Sequence, residues 1–350
     1  MLSVHTRRLS AVLTAVLALS FAACSATTSP SIPPDATGSL APPLIATAAA
    51  SPVTSPTTSA APTLPATFPM TLADDEGTAV ALGALPKKIV SITPASTEAL
   101  FAIGAGKSVV ATDETSDYPA DAAGLPHVAT FSSVDVEKIT ALGADLVVAG
   151  GLGFSPADAI SQLRSLKIPV LVLYASSVDG VYHDIELLGA ATGTSAKAAS
   201  VTAGMRTDID AIHAAAAAAG TPPRVYYEVG YTESTGQIFA PAAQSFVAEM
   251  VSLAGGDAIT TSDPSTYEIP LEVLIERDPQ VIVLGVNPFY APTPAQVKAR
   301  AGWGVMTAVK DGQIRTVRDT EITRPGPRLP TGLRNLTMAI WPGISLPPAP

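Results

Sequence analysis

Residues 194–223 read TSAKAASVTAGMRTDIDAIHAAAAAAGTPP, and the arrangement of everything on either side follows from them. Thr194 is placed to cap a helix start, and Val201, Met205, Ile209 and Ile212 recur at spacings of four, four and three, one face of an α-helix. Six consecutive alanines, Ala214 to Ala219, carry the highest helix propensity, and Gly220 with Pro222-Pro223 supplies the stop. The spacing predicts a helix over 194–219, roughly 39 Å long. A rod of that length, placed near mid-chain, joins one body to another.

The two flanks are alike. Glu137, Ile139, Leu146, Val147, Val148 and Gly150 recur 135 residues later as Glu272, Leu274, Val281, Ile282, Val283 and Gly285. Both segments read as helix, short turn, continuous β-branched strand, glycine. Before the rod, strands are expected over 89–92, 109–112, 146–149 and 170–174, alternating with helices over 96–103, 136–142 and 157–166. Gly104 sits where a left-handed helix cap belongs. Such alternation implies parallel sheets with helices on both faces, an α/β fold. The division that follows is a leading hairpin and first lobe over 70–193, a linker helix over 194–220, a second lobe over 221–342 and a tail over 343–350.

The first seventy residues have another character. Arg7 and Arg8, an apolar run over 9–23 and then Cys24 follow the order of an export signal, and the run is too short to span a bilayer. Ser20-Phe21-Ala22-Ala23-Cys24 resembles a bacterial lipobox, with Phe21 in a place usually held by an aliphatic residue. Cleavage after residue 23 and lipidation of Cys24 are therefore expected. Over 24–69 the chain is mostly Ser, Thr, Pro and Ala, a composition that buries too little apolar surface to offset ordering entropy and predicts a disordered tether.

Composition narrows the function classes. With Lys+Arg 20 against Asp+Glu 30 the net charge is -10, which excludes a phosphate-neutralising nucleic-acid binder. One Cys excludes a disulfide scaffold or a cysteine-rich metal centre, and four scattered His offer little for metal ligation. Gly104-Ala105-Gly106-Lys107-Ser108 resembles the end of a phosphate loop, but Phe101 stands where the first glycine is needed. It reads as a helix stop. Gly150-Gly151-Leu152-Gly153 lacks the third glycine of a dinucleotide fingerprint and reads as a cleft loop. Neither G-x-S-x-G nor H-E-x-x-H occurs. His183 and His213 fall on helical segments and His127 in a loop. Without a catalytic constellation the chain reads as a non-enzymatic capture protein; an exported α/β hydrolase or dehydrogenase, or an adhesive surface protein, are the readings of other classes.

Several stretches then bring a family into view. Lys88-Ile89-Val90-Ser91-Ile92-Thr93-Pro94-Ala95-Ser96-Thr97-Glu98, Thr115-Ser116-Asp117-Tyr118-Pro119, residues 136–148, Leu253-Ala254-Gly255-Gly256 and Arg324-Pro325-Gly326-Pro327-Arg328 together resemble the cobalamin and ferric-siderophore substrate-binding proteins of bacterial ABC importers. They are most similar to the cobalamin branch, over about residues 87–341. The resemblance implies two Rossmann-like lobes joined by one long helix (a class III substrate-binding protein). It implies a monomer without resident cofactor or metal, lipid-anchored at the outer face of the cytoplasmic membrane. Its partners would be an ABC permease with its ATPase, and its cargo cobalamin or a related corrinoid, with haem or a ferric siderophore as alternatives.

Carried across residue by residue, the resemblance puts Tyr118, Phe131, Tyr231, Asp319 (or Thr320) and Arg324 on the ligand. Tyr231 or His127 would be the axial ligand were the cargo haem. Gly150 stands where cobalamin binders often present tryptophan, leaving Phe154 to share that stack. The family docks on its permease through one exposed glutamate per lobe. The corresponding positions fall near Ala157 and Gln244, so Asp158 and Glu249, the nearby acids, are the docking candidates.

Overall fold

A computed structural model describes residues 66–151 and 155–348. The expected export signal, Cys24, nearly all of the 24–69 tether, and Phe154 lie outside the described residues. The described chain opens on an antiparallel hairpin, β1 (Met70–Ala73) and β2 (Ala79–Leu82). Its turn forms because the Asp74 carboxylate accepts the Glu76 and Thr78 amides while Gly77 takes φ +73°. The same carboxylate accepts Arg164 at 3.0 Å and the Val172 amide at 3.3 Å, which stitches the hairpin to the first lobe.

That lobe runs β3 (Ile89–Ser91), α1 (Pro94–Ala102), β4 (Val109–Asp113), α2 (Ala120–Ala123), β5 (His127–Ala129), α3 (Val136–Leu142), β6 (Leu146–Ala149), α4 (Ala157–Ser165), β7 (Val170–Val172) and α5 (Val178–Ala191). Its five strands are parallel in the order β5-β4-β3-β6-β7. Ile89, Val90, Leu146, Val147, Val148 and Leu171 are fully buried, as the strands of a sheet covered on both faces must be. Helix α1 begins two residues before the spacing predicts. The Thr93 hydroxyl accepts the Ser96 amide and Pro94 fills the first helical position, where its missing N–H costs nothing. Gly104 at φ +87° stops it, and Gly106–Ser108 forms one 3-10 turn with no phosphate-loop geometry.

Helix α6 (Ser195–Ala217) is the rod, shorter at both ends than the spacing predicts. Thr194 does not cap it: its hydroxyl pairs with that of Thr192 at 2.9 Å. Met205, Ile209 and Ile212 are buried in one core that draws side chains from both lobes, whereas Val201 is only half-buried. Helix α5, which the apolar pattern leaves undelineated, packs along α6. A Cβ on Gly189 would stand 2.4 Å from the Ala198 Cβ, so this glycine sets how closely the two helices approach.

The second lobe runs β8 (Arg224–Glu228), β9 (Gly230–Thr232), β10 (Gln237–Phe239), α7 (Phe246–Leu253), β11 (Asp257–Ala258), α8 (Leu271–Arg277), β12 (Val281–Val286), α9 (Pro294–Ala299), α10 (Thr307–Lys310), β13 (Ile314–Arg318) and α11 (Leu329–Ile340). Strands β11-β8-β12-β13 form a parallel sheet, and β9 with β10 a separate hairpin. The repeat seen in the sequence is α3–β6 in one lobe and α8–β12 in the other. In each sheet the strand order reverses once, beside β3 and β6 in the first lobe and beside β8 and β12 in the second. Crevices for ligands open at the carboxyl ends of strands at such reversals.

Candidate functional site

A cleft of about 430 Å³ lies at those carboxyl ends and has a wall from each lobe. The first lobe contributes Pro94 after β3, Glu114, Thr115 and Asp117 after β4, and Phe131 after β5. The second contributes Asn287, Pro288 and Phe289 after β12, and Asp319, Thr320, Thr323 and Arg324 after β13.

On the first wall the loop after β4 is held from behind. Asp113 accepts the Thr115 amide at 2.7 Å and the Ser116 hydroxyl, whose oxygen also lies within hydrogen-bond distance of the Thr97 hydroxyl at 2.9 Å. Glu114 accepts the Phe131 amide at 3.2 Å, and Thr130 closes a tight turn onto the Ser133 carbonyl at 2.8 Å. Phe131 rides at the tip of this turn with 79% of its surface exposed.

The second wall is built in the same way. The Asn287 side chain accepts the Phe289 and Tyr290 amides at 2.9 and 3.0 Å, and the Asn287 amide donates to the Tyr290 carbonyl at 2.8 Å. Asp319 accepts from Tyr227 at 2.8 Å, from Asn287 Nδ2 at 3.3 Å and from Thr323 at 3.1 Å. Glu228, buried at the end of β8, accepts the Tyr290 hydroxyl at 2.6 Å and pairs with buried Arg300. Burial, and then the adjacent Asp319, push the Tyr227 phenol far up, so it stays a donor. Burial and its bond to Glu228 do the same for Tyr290. Phe289 stands at the tip, 88% exposed.

Arg324 belongs to the second lobe but spends its guanidinium on the first. It donates to Asp117 at 2.6 Å, to Glu98 at 3.3 Å and to the Thr115 carbonyl at 3.2 Å. Arg328 joins it on Glu98 with bonds of 2.8 and 2.6 Å. Glu98, its side chain 2% exposed, thus takes two cations from the opposite lobe. Arg324, the one cation among the described residues lining the cleft, is neutralised there, and three carboxylates, Glu114, Asp117 and Asp319, line the cavity.

The structure brings Phe131, Asp319, Thr320 and Arg324 onto this cleft and corrects other expectations. Tyr231 is not among the lining residues: the Arg300 guanidinium covers its ring at 3.7 Å and Trp303 meets it edge-on at 6.0 Å. Tyr118 is exposed but sits under Arg328, 4.5 Å from its ring centre, off the cavity lining. His127 is no loop residue; it opens β5 and is not on the cleft wall. Glu249 is half-buried and accepts the Val178 amide at the start of α5 at 2.9 Å, an inter-lobe bond rather than an outward-facing acid. Asp158 is exposed on the first turn of α4. Among the described residues no three His, Cys, Asp or Glu side chains are grouped to hold a metal.

Phe289, Glu114 and Asn287 were missed in the sequence. A signal for Phe289 was present, because the 135-residue offset that sets Gly150 on Gly285 sets Phe154 on Phe289.

Two parallel-sheet lobes around an aromatic-tipped, acid-lined cleft define a ligand-capture protein. The model of the family described as periplasmic binding protein matches residues 89–320, and the chain belongs to that family. The family is one of substrate-binding transport proteins, so the chain is a binding protein and not an enzyme. Among its relatives, an uncharacterized ABC transporter substrate-binding lipoprotein of Bacillus subtilis is 31% identical over 279 residues, covering 78% of this chain and 86% of that one. A vitamin B12-binding protein of Pectobacterium carotovorum is 27% identical, covering 70% of this chain and 85% of its own. A periplasmic heme-binding protein from Pseudomonas aeruginosa has the same fold, with a TM-score of 0.67 at 24% identity over 76% of this chain and 96% of that one.

Proposed function

We propose that the protein captures cobalamin or a related corrinoid between its lobes and delivers it to an ABC importer. The observation that carries this is the cleft wall: two exposed phenyl rings, one from each lobe, among three carboxylates and a single, already paired arginine. A corrin offers broad, partly apolar faces to the rings, and its rim of uncharged amides donates N–H groups to carboxylates. Haem propionates and anionic siderophores need cations in the cleft, and this wall offers them repulsion instead. Haem would also need an axial ligand, and the described residues lining the cleft include no His, Tyr, Cys or Met.

The test is a titration of the purified protein with cyanocobalamin, haemin and a panel of ferric siderophores, followed by heat and absorbance. Saturable binding of the corrinoid in preference to the others is the expected result. Binding of haemin or a siderophore with no response to any corrinoid overturns the proposal.

Delivery requires anchoring and docking. Lipidation at Cys24 and a tether over 24–69 hold the lobes at the outer face of the cytoplasmic membrane, where an importer's permease and ATPase operate. Asp158, exposed on α4, is the docking acid of the first lobe. In a reconstituted importer Asp158→Ala should abolish transport at unchanged ligand affinity; undiminished transport removes Asp158 from this role.

A further inference from the structure

We infer that Phe289 is a ligand-stacking residue, held in place for that purpose by two carboxylates, buried Glu228 and half-buried Asp319, and that it works as the opposing member of a pair with Phe131. The inference rests on the corrinoid reading of the cleft and adds a binding residue to it.

Three features of the turn after β12 carry it. Exposing a phenylalanine almost completely, 88% in this case, forgoes the stabilisation that its burial would contribute. Here the ring is not loose at a chain end. It occupies the tip of a turn whose Asn287 side chain accepts both following amides. The turn is also fastened on both sides by neighbouring strands. In the sheet order β11-β8-β12-β13, the end of β8 supplies Glu228 to Tyr290, and the residue following β13 supplies Asp319 to Asn287. Arg300 neutralises Glu228, and Tyr227 and Thr323 satisfy Asp319, so neither carboxylate is left to pull the turn elsewhere. Gly285 completes the arrangement, since a Cβ there would stand 2.6 Å from both the Asp319 and Tyr227 oxygens.

A ring exposed on a surface is unremarkable when it stands singly. Phe289 does not: it shares its cavity with Phe131, which the other lobe presents on a turn tied to Glu114. Two phenyl groups on backbone-locked turns, one per lobe, leave little side-chain or loop entropy to be lost when a flat macrocycle enters. The chemical class such a pair accepts is a broad planar macrocycle with apolar faces and uncharged hydrogen-bond donors at its edge.

The test is a titration of cyanocobalamin into the parent protein and the variants Phe289→Ala and Phe289→Trp. Phe289→Ala is expected to weaken binding about tenfold, the scale of one lost aromatic contact. Its thermal unfolding midpoint should stay unchanged because the ring is exposed. Phe289→Trp is expected to restore affinity to within about threefold and to show quenching of the new indole on ligand addition, a signal that a merely structural residue does not give. Binding by Phe289→Ala within twofold of a parent that does bind overturns this inference and leaves the corrinoid reading standing. A parent that binds no corrinoid overturns both.

Discussion

Asp184 on α5 is 8% exposed, and one of its carboxylate oxygens is buried without a hydrogen-bond partner. Burial first, then the charge of Asp75 and a hydrogen bond with it, push its pKa up to about 8, against a smaller lowering by the Ala175 backbone. An unfolded aspartate ionises near 3.9. Between about pH 4 and pH 8 the native state therefore holds a proton that the unfolded chain lacks, and stability falls as pH rises through that window. Asp184→Asn should flatten this decline and raise stability at pH 8, as read from urea midpoints at intervals across the window. A parent protein whose midpoint does not fall over that range removes the effect. At this scale the sequence was only partly legible. Phe131 was found by likeness of motif, but nothing local says that Tyr231 is covered, because its cover, Arg300, arrives from far along the chain. Phe289 stayed hidden for the converse reason: a large apolar residue beside a buried strand reads as core until the turn that holds it outward is known.

The elements owe their positions to a few close contacts. Strand cores and helix stops were readable, since continuous β-branched runs and positive-φ glycines act locally, as β6 and Gly104 illustrate. Helix α5 was not, because the glycine that interrupts its pattern is there for α6. Gly189→Val would drive α5 off Ala198 and is expected to destabilise the fold by about 1–3 kcal/mol, the usual cost of overpacking. Equilibrium denaturation checks this, and an unchanged midpoint would mean that the two helices do not meet there. Thr194 gives the complementary lesson. A threonine at a helix start is a capping signal, yet its hydroxyl has a neighbouring partner in Thr192 and leaves the helix amides alone.

For the whole molecule the lobes are joined at three kinds of contact. Met205, Ile209 and Ile212 of α6 sit in a core common to both. Glu98 takes Arg324 and Arg328 from across the gap, and Glu249 binds the start of α5. Buried ion pairs of this type contribute more to fixing one geometry than to net stability, because desolvation offsets much of the attraction. These contacts tie the two walls of the cleft, each carrying one phenylalanine tip, to each other. The acidic surplus, a net charge of -10, favours a basic docking face on the partner. A crystal structure determined in saturating cyanocobalamin bears on all of this at once. The corrin should lie between Phe131 and Phe289, with its amides reaching Glu114, Asp117 or Asp319 and the Glu98–Arg324–Arg328 contact intact. A corrinoid bound elsewhere on the molecule, or a cleft left empty at saturation, would refute the assignment of this cleft as the capture site.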